Sequence, residues 1–216
     1  GKDYLKKLNI EEIEEVFNTI DKELIEGIDA VDNGVFPEIN ANFKIKTLDD
    51  IIKVCNPSFG STQDENEQFI KAVELAKIIF QEILYNIQGK VKAKKIILEK
   101  LKTTTKDYLE LEEYIPYEET VIKNEEGNHI LFALYPSNRG GWGIKTIKKS
   151  SEDKTDRCPF PEAWAGLENE ELEEKTGIKG TTFCHSGRFL MTCKTKEAAY
   201  QVLEKILREA KKQEEL

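Results

Sequence analysis

Apolar residues recur at helical spacing through the first half of the chain, and this pattern predicts a mainly helical region. The first helix has an apolar face of seven residues: Ile10, Ile13, Val16, Phe17, Ile20, Leu24 and Ile28. After a loop rich in Asn and Pro, the i, i+3, i+4 pattern returns from Phe69 to Ile87. We expect a long amphipathic helix there and, across Gly89, another one from Val91 to Leu101.

From about Lys106 the hydrophobic period changes towards two, which predicts strands. Two of them, NHILFALYP and GWGIKTIKK, are joined by SNRGG, whose glycines supply the positive φ of a hairpin connection. A second hairpin runs from TTFCH to FLMTCK and turns through Ser186, Gly187 and Arg188. Thr195 then predicts the start of a closing amphipathic helix. The expected fold class is α+β: a helical N-terminal half, followed by a mixed β-sheet with a helix laid across it.

The first predicted helix ends in two aspartates, Asp29 and Asp32, within the stretch ELIEGIDAVDNGVFP. The C-terminus of a helix is the negative end of its dipole, where each acidic side chain costs about 0.3–1 kcal/mol, and like charges at this spacing repel. Two interpretations stay open on this pattern. Either Asn33 and Gly34 form an ordinary helix stop with both carboxylates in water, or one or both aspartates hold a cation.

Composition and charge narrow the choice of function. With 216 residues, 39% of them hydrophobic, the chain can form one large or two small globular, soluble domains. Its net charge of −9 means that any contact with nucleic acid needs a local basic patch. No apolar run approaches the roughly 18 residues of a membrane span, so we expect no membrane partner.

Cysteine and histidine usage excludes several kinds of site. The four cysteines lack C-x-x-C spacing, and Cys184 and Cys193 lie in strand contexts typical of buried reduced thiols, which favours a reducing compartment inside the cell. His129 and His185 are the only histidines, so His-rich zinc sites are excluded. Nucleophile-elbow, P-loop and dinucleotide-binding motifs do not occur. The chain begins at Gly1 without a methionine or a signal sequence, so we expect it to be a fragment or a trimmed form of a longer protein.

Five blocks of the sequence resemble the Myg-type exonucleases (the melanocyte proliferating gene product family), a branch of the DHH phosphoesterases. The blocks are ELIEGIDAVDNGV, NPSFGSTQDENEQFIKAVELA, PFPEAWAGL, TGIKGTTFCHSGRF and KTKEAAYQVL, in the order and spacing of that family. The resemblance implies a hydrolase: a metal-dependent phosphodiesterase acting as a 3′–5′ RNA exonuclease of mitochondrion and nucleus, with Mn²⁺ or Mg²⁺ as its metal. It also implies a catalytic domain joined through a helical connector to a smaller mixed-sheet domain.

On this resemblance the chain corresponds to the C-terminal part of such a protein. Residues 1–47 would be the end of the metal-binding catalytic domain, residues 48–105 the helical connector, and residues 106–216 the mixed-sheet domain on the substrate side. The IDAVDNG block stands where the last acidic motif of a two-metal centre is expected, with Asp29 as the first choice of ligand and Asp32 as a second ligand or a cap to the turn. The family's upstream His and Asp motifs do not occur here, so we expect this chain alone to be inactive.

Five residues of the second half are candidates for contact with the RNA substrate: His185, Arg188, Arg157, Trp164 and Arg139. His185 and Arg188 are spaced so that an imidazole and a guanidinium could reach one phosphate. Trp164 is more often a packing residue, and a turn arginine is more often only solvated. Residues 189–193 replace the glycine-rich turn of many relatives, which removes the glycines through which such a turn would approach a phosphate. The alternative function is a scaffold that binds RNA or protein without cleavage, and the oligomeric state stays open.

Overall fold

A computed structural model of the chain describes residues 1–36, 38 and 42–214. The chain divides into two compact units, residues 1–92 and residues 93–216. The elements are helices α1 (Lys2–Lys7), α2 (Ile13–Ile20), α3 (Glu26–Asp32), α4 (Leu48–Ile52), α5 (Glu65–Thr103), α6 (Glu118–Lys123), α7 (Asn169–Thr176) and α8 (Lys196–Glu214), and strands β1 (Tyr108–Glu110), β2 (Phe132–Pro136), β3 (Trp142–Thr146), β4 (Thr181–Cys184) and β5 (Leu190–Cys193). Pro37, at the end of the acidic stretch, lies outside the described residues. None of the described helices is long and apolar enough to cross a membrane.

The first unit is helical in its described residues. A π-helical turn at Asp21–Ile25 joins α2 to α3, so the predicted first helix runs without a break from Ile13 to Asp32. Gly34 follows with a left-handed φ of +77°, which ends the helix as predicted. The buried apolar core of this unit consists of Leu5, Ile10, Val16, Ile20, Leu84, Ile87 and Val91. Ile28 is 41% exposed, so the predicted apolar face is not buried along its whole length.

Helix α5 is a single helix of 39 residues, and the prediction of two helices separated at Gly89 is wrong. A glycine inside a helix costs about 1 kcal/mol relative to alanine. Ile87 and Val91, on either side of Gly89, are both buried, and burying such a side chain contributes about 1.5–3 kcal/mol. Burial therefore outweighs the cost of the glycine, and the helix continues.

The second unit is built on a five-stranded sheet with the strand order β1-β2-β3-β5-β4. β1 is parallel to β2, and every other neighbouring pair is antiparallel, so the predicted mixed sheet is confirmed. On one face the sheet packs against α7 and α8 through Phe132, Leu134, Ile144 and Met191 among others. On the other face, Leu109 and Ala133 pack against Leu101 and Val121. Cys184 and Cys193 are buried free thiols, as predicted.

The two predicted hairpins form, but they turn in different ways. Gly140 and Gly141 have φ angles of +90° and +73°, and a Cβ on Gly141 would lie 2.3 Å from the carbonyl oxygen of Cys193. Only glycine fits there without moving the backbone. In the second hairpin, Arg188 has the positive φ, at +58°, and Gly187 does not. The residue with positive φ in this turn is therefore Arg188, one of the candidate substrate residues.

Candidate functional site

Asp29 and Asp32 lie in the last turn of α3, and both are exposed. The backbone carbonyl of Asp29 accepts hydrogen bonds from the N–H of Asn33 at 3.0 Å and from its side-chain amide at 2.7 Å. Asn33 thus satisfies the end of the helix, and neither aspartate side chain takes part in the cap. Within the described residues, both carboxylates are left without a hydrogen bond or an ion pair.

Lys53, which directly follows α4, interacts electrostatically with Asp32 but is hydrogen-bonded to another carboxylate. Lys53 donates to the carboxylate of Asp49 at 2.6 Å. This hydrogen bond and the charge of Asp49 raise the pKa of Lys53, with smaller contributions from Asp50 and Asp32. Asp50 is itself engaged in the capping box with Thr47. Lys53 therefore acts on Asp32 only at a distance, and the two aspartates keep their coordinating oxygens available.

The donor set near Asp29 and Asp32 fits a divalent cation only in part. Carboxylate oxygens are the ligands that Mg²⁺ and Mn²⁺ prefer. In the part of the chain that the structure describes, no three His, Cys, Asp or Glu side chains are grouped so that they could hold a metal ion. The two aspartates could supply at most two protein side chains of such a site, and other ligands would come from beyond the described residues.

In the second unit, His185 and Arg188 lie at the two ends of the turn between β4 and β5. The N–H of Gly187 donates to Nδ1 of His185 at 2.9 Å, so in the neutral ring the proton is on Nε2, which is left to donate outwards. The N–H of Arg188 donates to the carbonyl of His185 at 2.8 Å and closes the turn. The structure thus brings this predicted pair together on one turn, with both side chains partly exposed.

Beside this turn lie two residues that the sequence did not single out, Lys148 and Asp156. Nζ of Lys148 is 5.6 Å from the centre of the Phe189 ring and 2.8 Å from the carboxylate of Asp156. Asp156 also accepts a hydrogen bond from the hydroxyl of Thr146, whose N–H donates to the carbonyl of Phe189 at 2.9 Å. Lys148 only continues the strand pattern TIKK, so the sequence held no signal for its place here.

Arg157 and Trp164 have structural contacts. Nη1 of Arg157 donates to the carbonyls of Gly127 at 2.6 Å and Ile130 at 2.9 Å, and burial lowers the pKa of the guanidinium. Trp164 is 4% exposed and belongs to the core beneath the sheet. The segment around it nevertheless borders the turn, because the N–H of Gly166 donates to the carbonyl of Cys184 at 3.0 Å. Substrate contact by these two residues stays a prediction.

Arg139 lies at the opposite end of the sheet from the His185 turn. It is exposed in the hairpin between β2 and β3, next to the end of β5 at Cys193. The His185 turn adjoins the start of β5 at Leu190. The structure therefore separates Arg139 from the other four candidates. Its contact with substrate stays a prediction, at the opposite end of the strands.

The chain thus has a helical region followed by a mixed-sheet unit, the fold class that the resemblance to nucleases implied. The chain belongs to the MYG1 exonuclease family: the family model MYG1_exonuc, described as "Uncharacterised protein family (UPF0160)", matches residues 1–207. No solved structure matches the chain significantly.

Curated relatives come from eukaryotes and bacteria. The chain is 28% identical to the MYG1 protein of Dictyostelium discoideum over 98% of its own length and 70% of the relative's. It is 28% identical to the MYG1 protein of Chlamydia muridarum, over 96% of this chain and 70% of the relative. It is 27% identical to the MYG1 exonuclease of Homo sapiens, over 85% of this chain and 53% of the relative. The chain thus spans between about half and about seven tenths of the length of these relatives.

Proposed function

We propose that this chain is part of a metal-dependent phosphodiesterase, a 3′–5′ RNA exonuclease, to which it contributes one or two metal ligands and a substrate-binding unit. The family supports a nuclease, since the human and Bos taurus relatives carry the name MYG1 exonuclease. The observation that carries the proposal is the pair Asp29 and Asp32, two exposed carboxylates without a partner in the described residues, at a helix end where negative charge is unfavourable.

Asp29 is the proposed ligand and Asp32 the second one. A pair of Mn²⁺ or Mg²⁺ ions would, when bound, stabilise the attacking and leaving oxygens of a phosphodiester displacement. The role of α3 is to hold the two carboxylates one turn apart at its end. Asn33 supports this role, because it satisfies the carbonyl of Asp29 and leaves the carboxylate free to coordinate.

His185 and Arg188 are the proposed contacts to the RNA backbone. The Nε2–H of His185 and the guanidinium of Arg188 are both donors, and they lie three residues apart on one tight turn. Donors of this kind hold the register of a nucleic acid through its phosphates. Trp164 and Arg157 shape the segment next to the turn, and Arg139 is proposed as a contact at the other edge of the sheet.

The surface of the first unit supports a larger protein around it. Fifteen of the sixteen exposed large hydrophobic side chains among the described residues belong to residues 1–92, including Phe59, Phe69 and Val54. Large apolar surfaces on a soluble protein mark sites that another part of the protein or a partner covers. We therefore propose residues 1–47 as the end of a catalytic domain, 48–105 as a connector and 106–216 as the substrate-side domain, in an enzyme of mitochondrion and nucleus.

The test is RNA hydrolysis by the longer protein that carries this chain. Asp29→Asn keeps the shape of the side chain but removes the anionic ligand, so we expect hydrolysis under saturating Mn²⁺ to be lost while folding is kept, with a smaller loss for Asp32→Asn. Asp21→Asn, an exposed position of the same helical run, is the matched control and should behave as wild type. Wild-type hydrolysis by Asp29→Asn would remove the assignment.

A scaffold that binds RNA or a protein partner without cleaving is the second candidate. The observation in its favour is that the described residues contain no group of three metal-ligating side chains. The two functions are separated by the same assay, because a scaffold would bind RNA and leave it intact in the presence of Mn²⁺.

A further inference from the structure

The face of the sheet opposite α8 carries side chains for which the nuclease proposal gives no role. In the register of the strands, Tyr135 pairs with Gly143, Gly143 with Thr192, and Thr192 with Phe183. Residues paired in this way project from the same face of a sheet. These four residues, here called the aromatic row, cross β2, β3, β5 and β4, and Tyr135, Thr192 and Phe183 are each partly exposed.

At one end of the aromatic row, one tyrosine ring lies above a glycine and a second tyrosine ring contacts the first. A Cβ on Gly143 would lie 2.9 Å from Cε2 of Tyr135, so the ring occupies the space above the glycine. The ring of Tyr114 meets that of Tyr135 edge-on, with 5.3 Å between the ring centres. Tyr114 is 53% exposed, and no other large hydrophobic side chain in the described part of the second unit is exposed to this degree. Tyr114 is thus an exposed aromatic ring in a unit whose other described large apolar side chains are at least partly buried.

At the other end of the aromatic row, three rings follow one another. The rings of Phe183 and His185 meet edge-on with 6.1 Å between centres, and those of His185 and Phe189 are 4.2 Å apart. Lys148 lies over Phe189, and Arg188 follows His185 on the turn. Aromatic rings and cations therefore meet at this end of the sheet.

A cation also lies next to the row in its middle. Lys145 is in β3, two residues beyond Gly143 and hence on the same face, with Nζ 2.8 Å from the carboxylate of Glu118. An ammonium group has three donors, so this ion pair leaves donors for a second anion. The guanidinium of Arg188 has no acidic partner in the described residues.

We propose that Tyr114 and the aromatic row form a stacking platform for single-stranded nucleic acid, an inference that rests on the proposed nuclease function and names how its substrate is held. Single strands offer unpaired base faces to aromatic rings and phosphates to neighbouring cations, whereas a duplex hides its base faces. The row crosses three strand spacings, about 14 Å. That length accommodates a few nucleotides, since stacked nucleotides in one strand are about 3.4 Å apart.

The test is fluorescence anisotropy of the whole 216-residue chain with a labelled oligoadenylate of about ten nucleotides, a length within the usual site sizes. The oligonucleotide is used as RNA and as DNA, in EDTA so that nothing is cleaved. Tyr114→Ala removes the exposed ring, and Phe183→Leu keeps apolar bulk but removes the other ring. We expect each to raise Kd by about fivefold to a hundredfold, the range for loss of one stacked base. Tyr85→Ala, at a position 74% exposed in the first unit, is the control and should leave Kd unchanged.

Weaker binding of both oligonucleotides by the variants would support the platform for single strands in general, and weaker binding of RNA alone would support it for RNA. Unchanged Kd in folded variants, failure of the wild-type chain to bind either strand, or tighter binding of a duplex would overturn it. Binding in EDTA does not depend on Asp29. If the ring variants bind like wild type but Asp29→Asn abolishes hydrolysis, only the stacking platform has failed. If the ring variants bind more weakly but Asp29→Asn hydrolyses RNA like wild type, only the metal-site assignment has failed.

Discussion

The two units treat their apolar side chains in opposite ways. The second unit buries Phe132, Leu134 and Ile144 completely, and Tyr114 is its one large hydrophobic side chain counted as exposed among the described residues. Among the described residues, the first unit leaves fifteen large hydrophobic side chains exposed, Phe59 and Phe69 among them. A pattern of apolar residues thus predicts a helix or a strand, whereas what covers the apolar face depends on the rest of the protein.

The largest expected effect is the difference in unfolding free energy between a phenylalanine-to-alanine substitution in the second unit and one in the first. Phe132→Ala should lower the free energy of unfolding by about 3–5 kcal/mol, because it opens a cavity under a fully buried ring. Phe69→Ala, at a side chain 69% exposed, should change it by less than about 0.5 kcal/mol. Denaturant unfolding of the 216-residue chain measures both.

The costs of the same two substitutions can also be measured in the longer protein that we propose. If Phe69 is covered there, Phe69→Ala should cost more in that protein than in this chain, while the cost of Phe132→Ala should stay the same. Equal costs of Phe69→Ala in both proteins would show that the apolar surface of the first unit is not buried by additional sequence.

A smaller effect should separate the two arginines near the β4–β5 turn. Arg157→Ala removes the donor to the carbonyls of Gly127 and Ile130, and we expect a loss of about 1–3 kcal/mol in the free energy of unfolding. Arg188→Ala should leave stability nearly unchanged and raise KM for single-stranded RNA in the longer protein. Thermal melting and steady-state kinetics measure the two properties. A destabilised Arg188→Ala with wild-type KM would assign both arginines to structure.

The smallest effect concerns pH and a carboxylate of the second unit. Burial alone would raise the pKa of Glu110, but hydrogen bonds from Lys196 and Tyr200, at 2.7 and 2.8 Å, lower it below its ordinary value. A carboxylate whose pKa is lowered by folding stabilises the fold above its unfolded pKa, about 4.3. That contribution is lost as the pH falls through the lower folded pKa.

The corresponding measurement is denaturant unfolding between pH 6 and pH 3. The difference in stability between wild type and Glu110→Gln should shrink as the pH falls, with the exposed Glu112→Gln as the control. Curves for wild type and Glu110→Gln that stay parallel over this range would show that Glu110 contributes nothing through its charge.

Local signals in the sequence predicted the elements better than their extent. The stop at Gly34 and the hairpin at Gly140 and Gly141 were predicted because positive φ leaves a clear mark in sequence. Strand β1 was not predicted, because three residues are too short to show a period of two. The unbroken α5 was missed because the burial of Ile87 and Val91 outweighs the local cost of Gly89.

The proximity of candidate residues could be predicted where neighbours in sequence are also neighbours in space. His185 and Arg188 lie on one turn, and Asp29 and Asp32 lie on one helical turn. Lys148 and Tyr114 could not be predicted, since their places depend on strand register and on a contact between a loop and the sheet. The sequence placed Arg139 in one group with His185 and Arg188. The antiparallel pairing of β3 and β5 puts Arg139 at the opposite end of the strands from these two residues.

The most direct test of the proposed function is a time course of single-stranded RNA, labelled at either end, with the longer protein in Mn²⁺, with and without EDTA. We expect mononucleotides released from the 3′ end, complete inhibition by EDTA, and no hydrolysis by Asp29→Asn or by the 216-residue chain alone. Intact RNA with the wild-type longer protein, or hydrolysis that EDTA does not inhibit, would contradict it.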